Sequence, residues 1–357
     1  MLTRARAALL ALALSPLVSC QGGGAAPAGA SAGAAAPAAA PGADYFDLRE
    51  PGVRAGGVRL IPVQTPKGTF NVWTKRFGNG RIKVLLLHGG PAATHEYFEC
   101  AESFFPREGI EFYEYDQLGS HYSDQPDDDA LWTVPRFVDE VEQVRKALGL
   151  EQFYLLGHSW GGILAIEYAL AHQAHLKGLI VSNMMASAPD YQAYNENVLQ
   201  KQMAPGEVEA IKALERAGKT SGPEYEQRLQ GFYDAHVVRL KPAPDPVARA
   251  FKHINTKIYA LMQGPSEFGI SGRLEKWDRK ADLPKIAVPT LTVGAAHDTM
   301  DPAHMKWMAT QVQQGASLHC PQGSHLSMWD DQATYFRGVI GFLKAVDGGT
   351  FKKGMTF

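Results

Sequence analysis

Apolar and polar residues alternate over 58–63 and again over 69–74, the period of two expected of strands buried on one face, and their proximity predicts an antiparallel pair. The next segment, Ile82-Lys-Val-Leu-Leu-Leu87, is almost continuously apolar, as a strand covered on both faces must be. Further strands are predicted at 111–115, 153–156 and 178–182. Between them the period becomes helical. Val134, Phe137, Val138, Val141, Val144 and Leu148 share one face of 134–148, and 163–172 reads as a second helix. Strands and helices alternating in this way predict an α/β fold with a doubly wound, mostly parallel sheet.

The rhythm changes at residue 184. From there to about 283 only helical patterns occur: one opened by Pro205-Gly206-Glu207 and closed by Gly218, then 224–239 and 247–262. Strand patterns return at 290–293 and 317–320, and a last helix is predicted over 332–346. The implied organisation is a core in two parts, 44–183 and 286–347, split by a helical cap at 184–285. The tail 348–357 has little pattern and is expected to be loose.

The N-terminal composition adds a destination. Arg4 and Arg6 precede an apolar run, Ala7 to Val18, that has the length of a signal-peptide core and is too short to span a bilayer. It ends in Leu17-Val18-Ser19-Cys20, similar to the lipobox of bacterial lipoproteins, whose cysteine is lipidated and becomes the mature N-terminus. The resemblance makes 1–20 a lipoprotein signal peptide. Gln21, in place of Asp, points to the outer membrane facing the periplasm. Residues 21–43 are almost entirely Gly, Ala, Pro and Ser, a composition that cannot bury a core and is expected to act as a flexible tether. The expectation is an exported protein attached to the membrane through its lipid alone.

Overall charge narrows the partners. The 357 residues are 45% hydrophobic and 20% charged, with net charge −2, enough for a full core and without a basic block that would serve nucleic acid. Cys100 and Cys320 remain besides Cys20; they could pair in an oxidising compartment, but two separate buried thiols are the simpler expectation. No CxxC or HExxH spacing suggests a metal.

The chemistry lies in Gly157-His158-Ser159-Trp160-Gly161, a G-x-S-x-G string placed directly between a predicted strand and a predicted helix. A sharp strand-to-helix turn lifts the serine oxygen above the sheet, and side chains two residues before or after would clash. A serine hydroxyl needs an adjacent base, and in this chain order an acid comes next and a histidine last. His325, in the loop after the last strand, fits the base. Asp298, after strand 290–293, fits the acid that orients it; Asp301 is the competitor, although Asp before Pro302 also suits a helix cap. His325 must be neutral to act, so activity should fall with an apparent pKa of about 6 to 7. His88-Gly89-Gly90-Pro91 follows a strand where the backbone must approach a substrate oxygen, and the N–H groups of Gly90 and Trp160 are the expected oxyanion donors. His158 is expected to pack beside the turn, and Trp160, Phe268 and Trp277 are candidates for an apolar pocket.

Several longer strings carry a more specific resemblance: His88-Gly-Gly-Pro91, Tyr115-Asp-Gln-Leu-Gly119, Gly157-His-Ser-Trp-Gly-Gly162, Met262-Gln-Gly-Pro-Ser-Glu-Phe268, Trp277-Asp278 and Gly323-Ser-His-Leu-Ser-Met-Trp-Asp330. Together, over 45–346, they resemble the prolyl aminopeptidase (proline iminopeptidase) family of serine peptidases. That resemblance implies an α/β-hydrolase fold with a helical cap, no metal or cofactor, and removal of an N-terminal proline or other small apolar residue from short peptides or amino-acid amides. It also implies that Glu267 holds the substrate's α-ammonium, a pairing that suits an exopeptidase. Three departures stand out. Thr299 occupies a position where some members carry a second glutamate, Ala92 replaces a glycine after His-Gly-Gly-Pro, and His121 replaces the second glycine of the Asp-Gln-x-Gly-x-Gly turn. The same machinery would also suit an amidase, esterase or lactonase. A non-catalytic binding lipoprotein is the least compatible reading, because triad and oxyanion loop are both present.

Overall fold

The computed structural model describes residues 54–55 and 57–357; the predicted signal segment, Cys20 and the linker 21–43 lie outside the described residues. The strands are β1 (Arg54–Ala55), β2 (Val58–Thr65), β3 (Gly68–Phe77), β4 (Ile82–Leu87), β5 (Ile110–Asp116), β6 (Phe153–His158), β7 (Leu176–Ser182), β8 (Pro289–Ala295) and β9 (Gln314–Cys320). They form one sheet in the order β1-β2-β3-β5-β4-β6-β7-β8-β9. The first three strands pair antiparallel, and β3 pairs antiparallel with β5. From β5 to β9 all pairs are parallel. The chain has the α/β-hydrolase fold.

Side-chain alternation decides which layer each strand residue joins. Leu85 and Leu87 of β4, and Phe153 and Leu155 of β6, pack with α1 (Val134–Ala147) and α2 (Trp160–His172). Val84, Leu86, Tyr154 and Leu156 point the other way and pack with α9 (Gln332–Asp347). The central strands therefore look like continuous apolar runs because both faces are covered.

Between β7 and β8 the described residues form α3 (Ala188–Tyr194), a π-helical turn (Asn195–Leu199), α4 (Glu207–Arg216), α5 (Pro223–His236), α6 (Asp245–Lys252) and α7 (Thr256–Met262). Leu199, Ile211, Tyr225, Leu229, Phe232 and Phe268 make a separate small core here. The helix expected over 247–262 is two helices. Asn255 breaks it: its side chain accepts from Ile258 N–H and its own N–H donates to Ala92 C=O at 3.0 Å. A tertiary bond to the oxyanion loop thus outweighs the apolar periodicity.

The tail corrects a second expectation. Phe357 N–H donates to Ser317 C=O at 3.1 Å, and Ser317 N–H to Met355 C=O at 3.1 Å. Phe351 and Phe357 stand edge-on to Phe342. The segment lies along the open edge of β9, held by three apolar residues too few to show a period. Cys100 and Cys320 are both buried and unpaired.

Close approaches at the β6–α2 turn need glycine. A Cβ on Gly157 would collide with Gly161 C=O, and one on Gly161 with the carbonyls of Leu87 and His88. Gly161→Ala should therefore cost at least about 1–3 kcal/mol of stability, as overpacking does. Urea unfolding measures this; a midpoint equal to wild type would show that β4 and α2 are not in forced contact.

Candidate active site

Ser159 sits at the turn from β6 into α2 with φ 56° and ψ −128°, a left-handed backbone unusual for serine. Its N–H donates to Ser182 C=O at 3.1 Å, and its own carbonyl accepts from Gly162 N–H at 2.7 Å. The strand-to-helix placement read from the sequence is thus realised in the backbone. Ser159 Oγ is carried to the C-terminal edge of the sheet, where a parallel α/β fold gathers its loops.

His325 arrives from the loop after β9. Its Nδ1 lies 2.8 Å from Asp298 Oδ1, in the loop after β8. A carboxylate only accepts, so Nδ1 carries the hydrogen and Nε2 of the neutral ring carries the lone pair. That Nε2 is buried and has no hydrogen-bond partner among the described residues. Asp298 is held further by Asn183, whose Nδ2 donates to Oδ2 at 2.7 Å, and by Thr299 Oγ1 at 3.3 Å from Oδ1. Asp301 instead caps α8 (Pro302–Gln311), accepting from Ala303 N–H at 2.8 Å.

The sequence reading missed Asn183. It follows β7 with φ 53° and is fully buried. Its Oδ1 accepts from Ser182 Oγ at 2.7 Å and Ser327 Oγ at 3.0 Å, while Nδ2 also reaches Ser324 C=O at 3.3 Å. One amide thus ties the acid to the loop that carries the base. The sequence signal was slight: an asparagine, which tolerates the left-handed region, directly after an apolar strand.

The loop 88–91 passes beside the serine. A Cβ on Gly89 would lie 2.8 Å from Ser159 Cβ and 3.2 Å from its Oγ. Gly90 has φ 110°, and its bond to Pro91 is cis. Gly90 follows Gly89 in this loop, and Trp160 follows Ser159 as the first residue of α2. The Trp160 indole turns into the core and donates to Gln117 Oε1 at 2.7 Å. Gln117 Nε2 in turn donates to His88 C=O at 3.0 Å, so the loop and the helix start are braced together.

Ser159, His325, Gly90 and Glu267 line one cavity of about 760 Å³. Glu267 is half-buried; its Oε1 accepts from Tyr259 O–H at 2.6 Å, and its backbone is gripped by Tyr191, Asn195 and Tyr233. The apolar wall comes from Tyr97, Leu229, Tyr233, Phe251, Ile254 and Tyr259. Trp160, Phe268 and Trp277 do not reach it. Phe268 belongs to the small helical core and Trp277 Nε1 donates to Glu167 at 2.7 Å, because helix packing consumed the aromatics that spacing alone had offered.

Residues 83–332 match the family model described as the alpha/beta hydrolase fold. The proline iminopeptidase of Flavobacterium johnsoniae is 60% identical over 292 residues, covering 81% of this chain and 98% of that protein. That of Elizabethkingia meningoseptica is 59% identical over 298 residues, 82% of this chain and 100% of its own. Among solved structures, VinJ superposes with TM-score 0.76 at 30% identity, covering 80% of this chain and 98% of its own. The proline iminopeptidase of Mycobacterium smegmatis does so with TM-score 0.73 at 28% identity, covering 82% and 99%. The chain belongs to the proline iminopeptidase family.

The departures from the proline iminopeptidase pattern now have places. Ala92, at a position usually glycine, keeps a left-handed φ of 58°. Thr299 is buried beside the acid–base pair, off the cavity wall, with Oγ1 3.3 Å from His325 Nδ1. The His121 ring stacks on His253 at 4.0 Å, a contact between the core and the residue that follows α6.

Electrostatics set the pH response. Burial disfavours the charged imidazole of His325, but the charge and hydrogen bond of Asp298, with a smaller contribution from Glu267, outweigh it and hold the pKa above 6.5. A base with a raised pKa stays protonated to higher pH, so kcat/KM should fall as pH drops through a value above about 6.5. Asp298→Asn removes the raising charge; the acid limb should move to lower pH and the plateau should drop by about 10⁴-fold. A wild-type profile flat to well below pH 6 would point to another base.

Proposed function

We propose that this chain is a serine aminopeptidase that releases an N-terminal proline, or another small apolar residue, from short peptides through an acyl-enzyme. Ser159 Oγ attacks the carbonyl of the first residue while His325 Nε2 takes its proton. The N–H groups of Gly90 and Trp160 stabilise the oxyanion. His325 then gives the proton to the leaving amine, and water repeats the sequence on the ester. Asp298 keeps the ring oriented and stabilises its charged form. The helical segment 184–285 acts as the cap that closes the substrate against this edge.

One observation carries the peptidase reading over a general hydrolase: a tyrosine-held carboxylate, Glu267, in the same cavity as Ser159 and His325. A half-buried carboxylate among apolar walls suits a substrate α-ammonium. The relatives at 60% and 59% identity, themselves proline iminopeptidases, support the same reading.

The test is a ratio. Glu267→Gln should lower kcat/KM for Pro-naphthylamide by about ten- to hundredfold, the worth of a charge-assisted bond, while an uncharged aryl acetate is hydrolysed at nearly the wild-type rate. Ser159→Ala should abolish both by at least about a thousandfold. An unchanged ratio, or efficient cleavage of N-acetylated substrates, would favour an amidase or esterase.

We also propose an envelope location, with Cys20 lipidated and the domain tethered to the outer membrane on its periplasmic side. The support is the charged n-region, the short apolar run and the Leu-Val-Ser-Cys ending. Cys20→Ala should shift the protein out of the membrane fraction. Intact-mass analysis of the mature wild type should find a diacylglyceryl-type addition on Cys20; an unmodified chain beginning elsewhere would sink the anchor and leave the catalytic reading intact.

A further inference from the structure

Three hydrogen bonds behind Ser159 run in a single direction. His158 Nε2 lies 2.8 Å from the carbonyl oxygen of His325. A carbonyl only accepts, so Nε2 carries the hydrogen and Nδ1 of the neutral ring the lone pair. Tyr97 Oη stands 3.0 Å from that Nδ1 and must donate to it. The same phenol oxygen accepts from Gly89 N–H at 2.5 Å. The order is therefore Gly89 N–H to Tyr97, Tyr97 O–H to His158, and His158 N–H to His325 C=O.

The chain touches every corner of the site. Gly89 precedes Gly90 and rests against Ser159; His158 precedes Ser159; the last acceptor is the backbone of the base. Tyr97 is itself fixed, since its carbonyl accepts from Trp329 Nε1 at 2.7 Å. Tyr97 and His158 both border the cavity yet are only 4% and 2% exposed, so little of either side chain is open to water. Burial, reinforced by the neighbouring His325, pushes the His158 pKa well below 6.5, and burial likewise keeps Tyr97 protonated. A charged His158 would present a second N–H to a phenol whose proton then had no acceptor nearby.

We infer that Tyr97 and His158 are positioning residues, a one-way relay that sets the distance between the oxyanion loop and the backbone of His325. The inference rests on the Ser159–His325 reading above. Neither side chain reaches the reacting atoms in this scheme; each acts through Gly89–Gly90 and His325. A glutamine at 158 could reproduce the order, its Oε1 accepting from Tyr97 and its Nε2 donating to His325, whereas leucine could not.

The test compares Tyr97→Phe, His158→Leu and His158→Gln in the full chain, each checked for native circular dichroism, with Pro-naphthylamide as substrate. A misplacement near 1 Å costs about a hundredfold, so Tyr97→Phe and His158→Leu should lower kcat by roughly ten- to hundredfold with KM within about threefold. His158→Gln should keep kcat within about threefold of wild type. Because the bonds form one chain, Tyr97→Phe combined with His158→Leu should lose little beyond the worse single variant. Should His158→Leu fail to fold, Tyr97→Phe and His158→Gln carry the comparison alone. Wild-type kcat in Tyr97→Phe, or a glutamine variant as impaired as leucine, would overturn the relay. A fully active Ser159→Ala would instead overturn the catalytic reading on which it rests.

Discussion

The backbone of Ser159 is held where serine does not choose to be, at a cost of order 1–3 kcal/mol that the surrounding structure must offset. Everything about the site follows from that turn. It requires glycine at 157, where β6 meets the backbone of α2, and at 161, where α2 meets the end of β4. It places Ser159 on the wall of the cavity, at the start of α2. It also lets the loop 88–91 pass so close that Gly89 has no room for a side chain. The strain is sustained because the turn is welded into the centre of a sheet covered on both faces.

Around this turn the polar groups are saturated in a fixed order. Asn183 and Thr299 hold Asp298, Asp298 holds His325, and His158 holds the His325 carbonyl. A buried network is stabilising only when each member finds its partner, and the buried His325 Nε2 is the one nitrogen of this group left without one. In the proposed mechanism it is the atom that takes the proton of Ser159.

The helical segment between β7 and β8 is joined to the core by charge as well as packing. Arg249 of α6 reaches Glu96 and Glu99, and His253 reaches the same Glu96, which also accepts from Thr94 and Tyr122. Burial works against the Glu96 carboxylate, but these partners hold its pKa below the ordinary value, so it stays charged. Asn255 adds the bond to Ala92. Because Phe251 and Ile254 line the cavity from the same stretch, this clasp fixes part of the wall that Ser159 shares. Glu267 is likewise placed by helices, through Tyr191, Tyr233 and Tyr259.

By itself the sequence determined the sheet, the turn and the chain order of serine, acid and histidine. Those features are local: a period of two or 3.6, glycines that permit contact, and a motif between a strand and a helix. It also separated Asp301, a cap, from Asp298. Only the tertiary structure decided the rest. The split between α6 and α7 and the docked tail depend on partners more than a hundred or about forty residues away, which no local period encodes. The cavity wall could not be read from aromatic spacing, because helix packing decides which ring is core and which faces the substrate. Asn183 left only a slight signal and the relay through Tyr97 and His158 none, for the same reason: a hydrogen bond needs an angle and a distance near 3 Å, and residues as far apart as 158 and 325 acquire both only when the sheet brings its loops to one edge.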